Sequence, residues 1–251
     1  MIIDPARVTR LLSPEVSLRR GGGSGINGKF DACVMQAVDW LAGGDGTSNA
    51  PECADRAISS FCVRLNDSPI FGKWRDELKP FAARIAGTKG THEQYAEREY
   101  IAVDLALRVA APLGFEFWGE TVEKHREAAL SFAARFRALA PITDKDTAIA
   151  GRDLARESQK VADFAVAGYA ADFAVAGYAA SAAQTTGEAV AGYATYAEEA
   201  AYTIYADAAS SATYAASAAD VRARSDALTR ALWDAALACL DKMICVTESE
   251  G

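Results

Sequence analysis

The sequence has few of the residues on which catalysis, metal binding and nucleic-acid binding usually depend. It contains two histidines, and no lysine or arginine lies between Lys160 and Arg222, where seven acidic residues occur. Because affinity for a duplex is built on Lys and Arg side chains that face phosphates, we expect no direct nucleic-acid binding. Once alanine is discounted, no stretch is apolar over the roughly 18 residues that a membrane helix requires, so we expect no membrane partner.

Features of a secreted or metal-binding chain are also missing. The N-terminus has no basic leader followed by an apolar core, and the five cysteines are odd in number. Both features are typical of reduced thiols in a cytoplasm. Cys33, Cys53 and Cys62 are widely spaced and form no Cys-x-x-Cys pair. We therefore predict neither a metal site nor a cofactor.

Alanine, by contrast, is abundant in one stretch. Of the 60 residues from Val161 to Asp220, 25 are alanine and none is Leu, Met, Trp, Lys, Arg or Pro. Residues 162–170 are repeated at once as residues 171–179. Alanine has the highest helix propensity, and strands are disfavoured because β-branched residues are few. The stretch is predicted to be helical, either as long helices or as a helical hairpin that breaks near residues 184–188.

Tyrosines give this stretch two predicted aromatic faces. At about 100° per residue, nine residues make about two and a half turns, so equivalent residues of the two copies fall on opposite sides of a helix. Tyrosine combines a large apolar ring with a polar tip, which suits it to protein interfaces. We predict a surface for self-assembly into a homo-oligomer or for binding another protein. Its residues are Tyr169, Tyr178, Tyr193, Tyr196, Tyr202, Tyr205 and Tyr214.

The whole chain is predicted to have an all-α fold. Outside the alanine-rich stretch, apolar residues recur at helical spacing, and no segment shows a convincing strand pattern. The first part, residues 1–28, is predicted to be a flexible glycine-rich arm, and residues 29–140 a helical module. Residues 141–251 are predicted to be an Ala/Tyr-rich helical repeat region that finishes in an anchoring helix.

Several boundaries follow from capping residues. Asp31 is predicted to cap one helix, and Asn49 to cap the next, with Pro51 in its first turn. The apolar and aromatic residues 112–119 are predicted to be a connector between helices. Thr143 is predicted to cap the helix that leads into the alanine-rich stretch.

One glycine-rich segment has the spacing of a phosphate-binding loop. Gly23 to Lys29 matches G-x-x-x-x-G-K, but Phe30 stands where the motif requires the magnesium-binding Ser or Thr. No apolar strand precedes the segment either. We interpret it as a tether.

Four short motifs lie within residues 31–91, about a quarter of the chain. They are Cys33-Val34-Met35-Gln36-Ala37-Val38, Pro51-Glu52-Cys53, Asn66-Asp67 at a helix end, and the turn Gly87-Thr88-Lys89-Gly90. Together they resemble a family of uncharacterised proteins from tailed phages and actinobacterial genomes, some with Ala-rich C-terminal regions. The resemblance implies no established activity and transfers no functional residue. It favours a phage or prophage protein that acts in the cytoplasm of a bacterial host cell.

Three functions remain open from the sequence. The first is a non-enzymatic structural or interaction protein that uses the tyrosine surface. The second is a small-molecule-binding protein or thiol-dependent enzyme with a pocket near Cys33, whose pKa the dipole of the following helix would lower. That enzyme would need a general base, and only His92 and His125 are available. The third is an acidic decoy against a host nucleic-acid-binding factor, suggested by the net charge of −8.

Overall fold

Helices account for the regular structure of this protein, as the sequence predicts. The computed structural model describes residues 3–26, 30–121, 126–161 and 212–246. Within these ranges the only β-structure is an isolated bridge between Gly25 and Asp31. The predicted all-α fold is confirmed.

The described residues form two units. The first unit contains residues 3–26, 30–102 and 237–246, and the second contains residues 103–121, 126–161 and 212–236. In the first unit lie α1 (Pro5–Leu12), α2 (Val34–Leu41), α3 (Arg56–Asp67), a 3₁₀ helix (Gly72–Leu78) and α4 (Lys79–Ile85). In the second lie a π-helical turn (Leu105–Ala110), α6 (Ala111–Thr121), α7 (Arg126–Arg137) and α8 (Lys145–Val161). Helices α5 (His92–Asp104) and α9 (Ala212–Ile244) contribute residues to both units. The predicted three-part division of the chain stays a prediction.

Helix α3 supplies much of the core of the first unit. Its apolar face is buried: Ile58, Phe61, Cys62 and Leu65 are each inaccessible to solvent. Full burial of such side chains stabilises a fold by about 1.5–3 kcal/mol each. The apolar periodicity of α3 is therefore sufficient to identify its packing face.

The predicted cap of α2 is wrong. The helix begins at Val34 with Cys33 as its N-cap residue, and the Cys33 amide donates a hydrogen bond to Oε1 of Gln36 (3.1 Å). Asp31 lies two residues too early to cap the helix. Its carboxylate instead pairs with the guanidinium of Arg19 (2.7 Å).

The predicted start of α3 is also wrong. Asp55, not Asn49, caps the helix, since its Oδ1 accepts a hydrogen bond from the Ala57 amide (2.8 Å). Pro51 opens a turn before the helix, in which the Ala54 amide donates to the Pro51 carbonyl (3.0 Å). The distant turn that contains Gly87 and Lys89 donates hydrogen bonds to this turn.

At the start of α8 the prediction is wrong by one residue. Asp144 rather than Thr143 binds the first turn, because its Oδ1 accepts a hydrogen bond from the Thr147 amide (2.9 Å). The Thr143 amide itself donates to the Thr147 hydroxyl (3.1 Å). A carboxylate is the stronger acceptor for a helix N-terminus.

The predicted connector at residues 112–119 is helical. The π-helical turn ends at Ala110, two residues before Pro112, and at its end the Ala111 amide donates to the Ala106 carbonyl. Since proline has no amide hydrogen, a helix that contains it requires a local change in hydrogen bonding. The aromatic residues that suggested a connector lie on the buried face of α6, where Phe115 stacks on Phe136 with ring centroids 5.6 Å apart.

We expect Phe115→Ala to destabilise the second unit by about 3–5 kcal/mol, the usual cost of deleting a fully buried aromatic ring. Phe115 is inaccessible to solvent and also contacts Phe132, with ring centroids 5.8 Å apart. Urea unfolding followed by circular dichroism would measure the loss. Leu130→Ala, at a site that is 40% exposed in α7, is the control and should change stability little. Equal effects of the two substitutions would contradict this packing.

Candidate functional site

The candidate catalytic residue Cys33 lies at the N-cap of α2 and is 3% exposed. Burial raises the pKa of its thiol, and this effect outweighs the backbone hydrogen bonds that act in the opposite direction. Burial also raises the pKa of Cys62, to which the nearby Cys33 and Cys239 contribute further. Both thiols are therefore less ionised at neutral pH than a free cysteine, and only the thiolate is nucleophilic.

The two histidines give Cys33 no described general base. His92 lies in the first turn of α5, where its ring stacks on Tyr95 with centroids 6.5 Å apart. His125 lies outside the described residues. Within the described part of the chain, no contact therefore supports the hypothesis of a Cys–His pair.

Gln36 organises the polar groups next to Cys33. Its Oε1 accepts hydrogen bonds from the amides of Gly23 (2.8 Å) and Cys33 (3.1 Å). Its Nε2 donates to the carbonyls of Gly23 and Thr47, both at 3.2 Å. With four hydrogen bonds to backbone groups, this buried amide is fully occupied in holding the glycine-rich segment and the following loop to α2.

The amides of Gly23 and Ser24, at the start of this segment, face the protein itself, and residues 27–29 lie outside the described residues. Gly23 donates to Gln36, and Ser24 donates through both its amide (3.3 Å) and its hydroxyl (2.9 Å) to Oδ2 of Asp31. A phosphate-binding loop needs such amides to point at the ligand. The amides of Gly23 and Ser24 are therefore not directed at a phosphate.

Asn66 and Asp67, at the end of α3, hold the preceding part of the N-terminal segment. Asn66 accepts from the Val34 amide (3.2 Å) and donates to the Arg19 carbonyl (2.7 Å). Asp67 accepts from the Gly21 amide (2.7 Å). The motif Asn66-Asp67 thus binds backbone groups of two other segments.

A buried ion pair lies at the other end of α3, at its N-cap residue Asp55. Nη1 of Arg98 is 2.8 Å from Oδ2 of Asp55, and the two side chains are 2% and 4% exposed. Arg98 also donates from Nε to the Met243 carbonyl and from Nη2 to the Val246 carbonyl, both at 3.0 Å. All three nitrogens of the guanidinium therefore have an acceptor.

The turns of the sequence signature meet beside this ion pair. The Cys53 carbonyl accepts from the amides of Gly87 (2.9 Å) and Lys89 (3.2 Å). The Thr88 hydroxyl accepts from the Asp55 amide (3.1 Å) and donates to the Ile85 carbonyl (2.7 Å). The Pro-x-Cys and Gly-Thr-x-Gly motifs are therefore two halves of one hydrogen-bonded structure.

Arg98 is not among the predicted site residues, although the sequence contains a signal for it. Arg98 precedes Ile101 by three residues and Leu105 by seven, so on a helix it shares a face with these two apolar residues. An arginine at such a position is either paired or excluded from the core. The sequence does not reveal its partners, which lie 43 or more residues away along the chain.

The predicted tyrosine surface lies outside the described residues, except that the backbone of Tyr214 belongs to α9. Across residues 3–26, 30–121, 126–161 and 212–246, no three His, Cys, Asp or Glu side chains are grouped to bind a metal. In the same ranges no helix combines the length and the apolar character needed to cross a bilayer.

Compared with known proteins, the chain matches no protein-family model, no curated protein and no solved structure. The function has to be argued from the arrangement of its own residues.

We expect cysteine alkylation to follow burial. Cys245 is exposed, whereas Cys33 and Cys62 are buried with a raised pKa. In a short iodoacetamide pulse at neutral pH, Cys245 should be modified first, and Cys33 only when the first unit opens. Peptide mass spectrometry measures each site, with the protein in urea as the control. If Cys33 were modified as fast as Cys245, this result would support the thiol-enzyme hypothesis.

Gly23→Ala should detach the glycine-rich segment from α2, because a Cβ at this position would overlap the carbonyl of Asp31. Gly22→Ala is the matched control, since its Cβ would meet only Nε2 of Gln36 at 3.8 Å, an ordinary contact. Hydrogen exchange at the amides of Ser24 and Cys33 should rise in the first variant and not in the second. An unchanged exchange rate in Gly23→Ala would contradict the described path of this segment.

Proposed function

We propose that this protein is a non-enzymatic interaction protein of phage or prophage origin. In this proposal the helical units carry the Ala/Tyr-rich segment, which binds a second copy or another protein. The observation that supports it most directly is that buried polar side chains bind the protein's own backbone. Gln36, Asp55, Asn66 and Arg98 all bind backbone groups of their own chain. Groups that are occupied in this way hold a scaffold together and are not free to bind a substrate.

Both flanks of the Ala/Tyr-rich segment are helices with packed faces. Helix α8 leads into it, with Ala155 and Ser158 inaccessible to solvent. Helix α9 leaves it and is 33 residues long, with Leu232 and Trp233 fully buried. A segment that is anchored at both ends by packed helices is suited to presenting a surface rather than to linking independent domains.

The thiol-enzyme alternative is less well supported. Cys33 is buried and its pKa is raised, whereas a catalytic cysteine has a lowered pKa and access to substrate. Gln36, the polar side chain beside it, already makes four hydrogen bonds. No observation favours this alternative over the interaction protein.

Native mass spectrometry of the purified protein, non-reduced and then reduced, tests the proposal. We expect a defined oligomer of unmodified chains in both conditions. The triple variant Tyr178→Ala, Tyr196→Ala and Tyr214→Ala should lose assembly, because these residues are spaced by 18 and are predicted to share one helix face. The matched triple Tyr→Phe variant keeps the rings and should retain most of the assembly.

Two results would overturn the proposal. One is a monomer that carries an extra mass, such as a metal, a nucleotide or a metabolite, which would direct attention to the Cys33 region. The other is unchanged assembly in the triple Tyr→Ala variant. Circular dichroism of each variant verifies that helix content is retained.

A further inference from the structure

The segment before the glycine-rich stretch holds an arginine at the end of helix α3. On one side of Arg20, the Arg19 carbonyl accepts a hydrogen bond from Asn66 (2.7 Å), and on the other side the Gly21 amide donates to Asp67 (2.7 Å). The Arg20 side chain itself is exposed. Its backbone therefore fixes an exposed positive charge beside residues 66–68.

A second arginine, Arg75 in the 3₁₀ helix, reaches the same residues. Its Nε donates to the Asn66 carbonyl (2.6 Å) and its Nη2 to the Ser68 carbonyl (3.5 Å). Both acceptors are uncharged, and the guanidinium is half-buried. Within the part of the chain that the structure describes, no carboxylate forms an ion pair with either Arg20 or Arg75. Two arginines without a carboxylate partner therefore lie at the end of α3.

Nearby carboxylates do not fully offset the charges of these two arginines. Burial lowers the pKa of Arg75, and the positive charge of Arg20 lowers it further, whereas Asp67 and Asp76 oppose this shift without cancelling it. Asp67 accepts hydrogen bonds from two neutral amide groups, and Asp76 lies 3.5 Å from Lys79. Since each carboxylate has other partners, a bound anion would supply the negative charge that the two guanidinium groups lack.

Two glycines leave space beside the arginines. Gly21 has a φ of +71°, and a Cβ there would meet no atom beyond its chain neighbours within 4 Å. At Gly72 a Cβ would meet only Nη2 of Arg75, at 3.6 Å. Ser68, whose carbonyl Arg75 binds, is 6% exposed, and its Oγ has no hydrogen-bond partner among the described residues. Because a buried hydroxyl without a partner is destabilising, a ligand oxygen that accepts a hydrogen bond from it would be favourable.

We propose that Arg20, Arg75 and Ser68 form a binding site for an oxyanion of the phosphate type. Guanidinium groups bind phosphate oxygens through charge-assisted hydrogen bonds of matching geometry, and the Ser68 hydroxyl supplies one further donor. A bound phosphate would join the N-terminal segment to the end of α3. The site is separate from the G-x-x-x-x-G-K spacing, in which the Gly23 amide binds Gln36. The inference goes beyond the proposed function, because it concerns the first unit and holds whether or not the chain assembles.

Titration of the isotope-labelled full-length protein with sodium phosphate, at constant ionic strength, tests the site by NMR. The amide signal of Gly21 and the Nε–H signal of Arg75 should shift and saturate. Arg20→Gln should weaken binding by about tenfold, the usual effect of losing one hydrogen bond to a charged group. Arg19→Gln is the matched control, since Arg19 is also exposed but is already paired with Asp31 (2.7 Å), and this variant should bind like the wild type.

Two further variants test the other groups of the site. Arg75→Lys keeps the positive charge but loses the planar fork, so it should weaken binding about as much as Arg20→Gln. Ser68→Ala should weaken binding severalfold, and unchanged affinity would overturn the role of Ser68 as a donor. Amide spectra recorded without phosphate verify that each variant is folded. Normal binding by Arg75→Lys, or equal weakening in Arg19→Gln and Arg20→Gln, would show a general charge attraction and overturn the proposal.

Replacing inorganic phosphate with glycerol phosphate distinguishes two sources of the oxyanion. If the ester binds as tightly, the site accepts a phosphoryl group on a larger molecule, whereas binding of inorganic phosphate alone identifies the free ion as the ligand. Either result, combined with the loss in Arg20→Gln, supports the site. The absence of a saturable shift with both compounds in the wild-type protein contradicts it.

Discussion

The first unit depends on the buried ion pair between Arg98 and Asp55. Removing two charges from water costs several kcal/mol for each ion, and the cost is offset only when both are well paired and hydrogen-bonded. Here Asp55 binds Arg98 through one oxygen and the Ala57 amide through the other. Arg98 uses its other two nitrogens on the Met243 and Val246 carbonyls. A single pair thereby joins the start of α3, the middle of α5 and the end of α9.

Side chains also satisfy distant backbone groups in other non-helical segments that the structure describes. Gln36 holds the glycine-rich segment, and Thr88 joins the turn after α4 to the start of α3. In the second unit, Asp104 accepts from the Ile142 amide (2.9 Å) and Arg108 donates to the Leu139 carbonyl (3.1 Å). Loops whose backbone groups are satisfied in this way do not need strands or disulfides to keep their path.

How much the sequence predicts depends on the distance between interacting residues. The buried faces of α3 and α7 follow from apolar spacing, which is a local property. Capping residues are also predicted from local sequence, but the prediction is wrong where a remote group binds the same side chain or turn. Asp31 pairs with Arg19, and the turn that begins at Pro51 accepts hydrogen bonds from the Gly87 turn. Arg98 is hardest to predict because its partners include residues at the far end of the sequence. A local pattern therefore identifies the helices but not the polar contacts that join them.

The hydrogen bonds that the motif residues make bear on the function of the protein. An active site needs side chains that are free to meet a substrate. In this protein the described motif residues instead bind carbonyls and amides of their own fold, and Cys33 is a buried thiol with a raised pKa. Contacts of this kind support the scaffold role that we propose. What the scaffold presents must then be sought among residues outside the signature, and the tyrosines of the alanine-rich segment are the most distinctive set that the sequence offers.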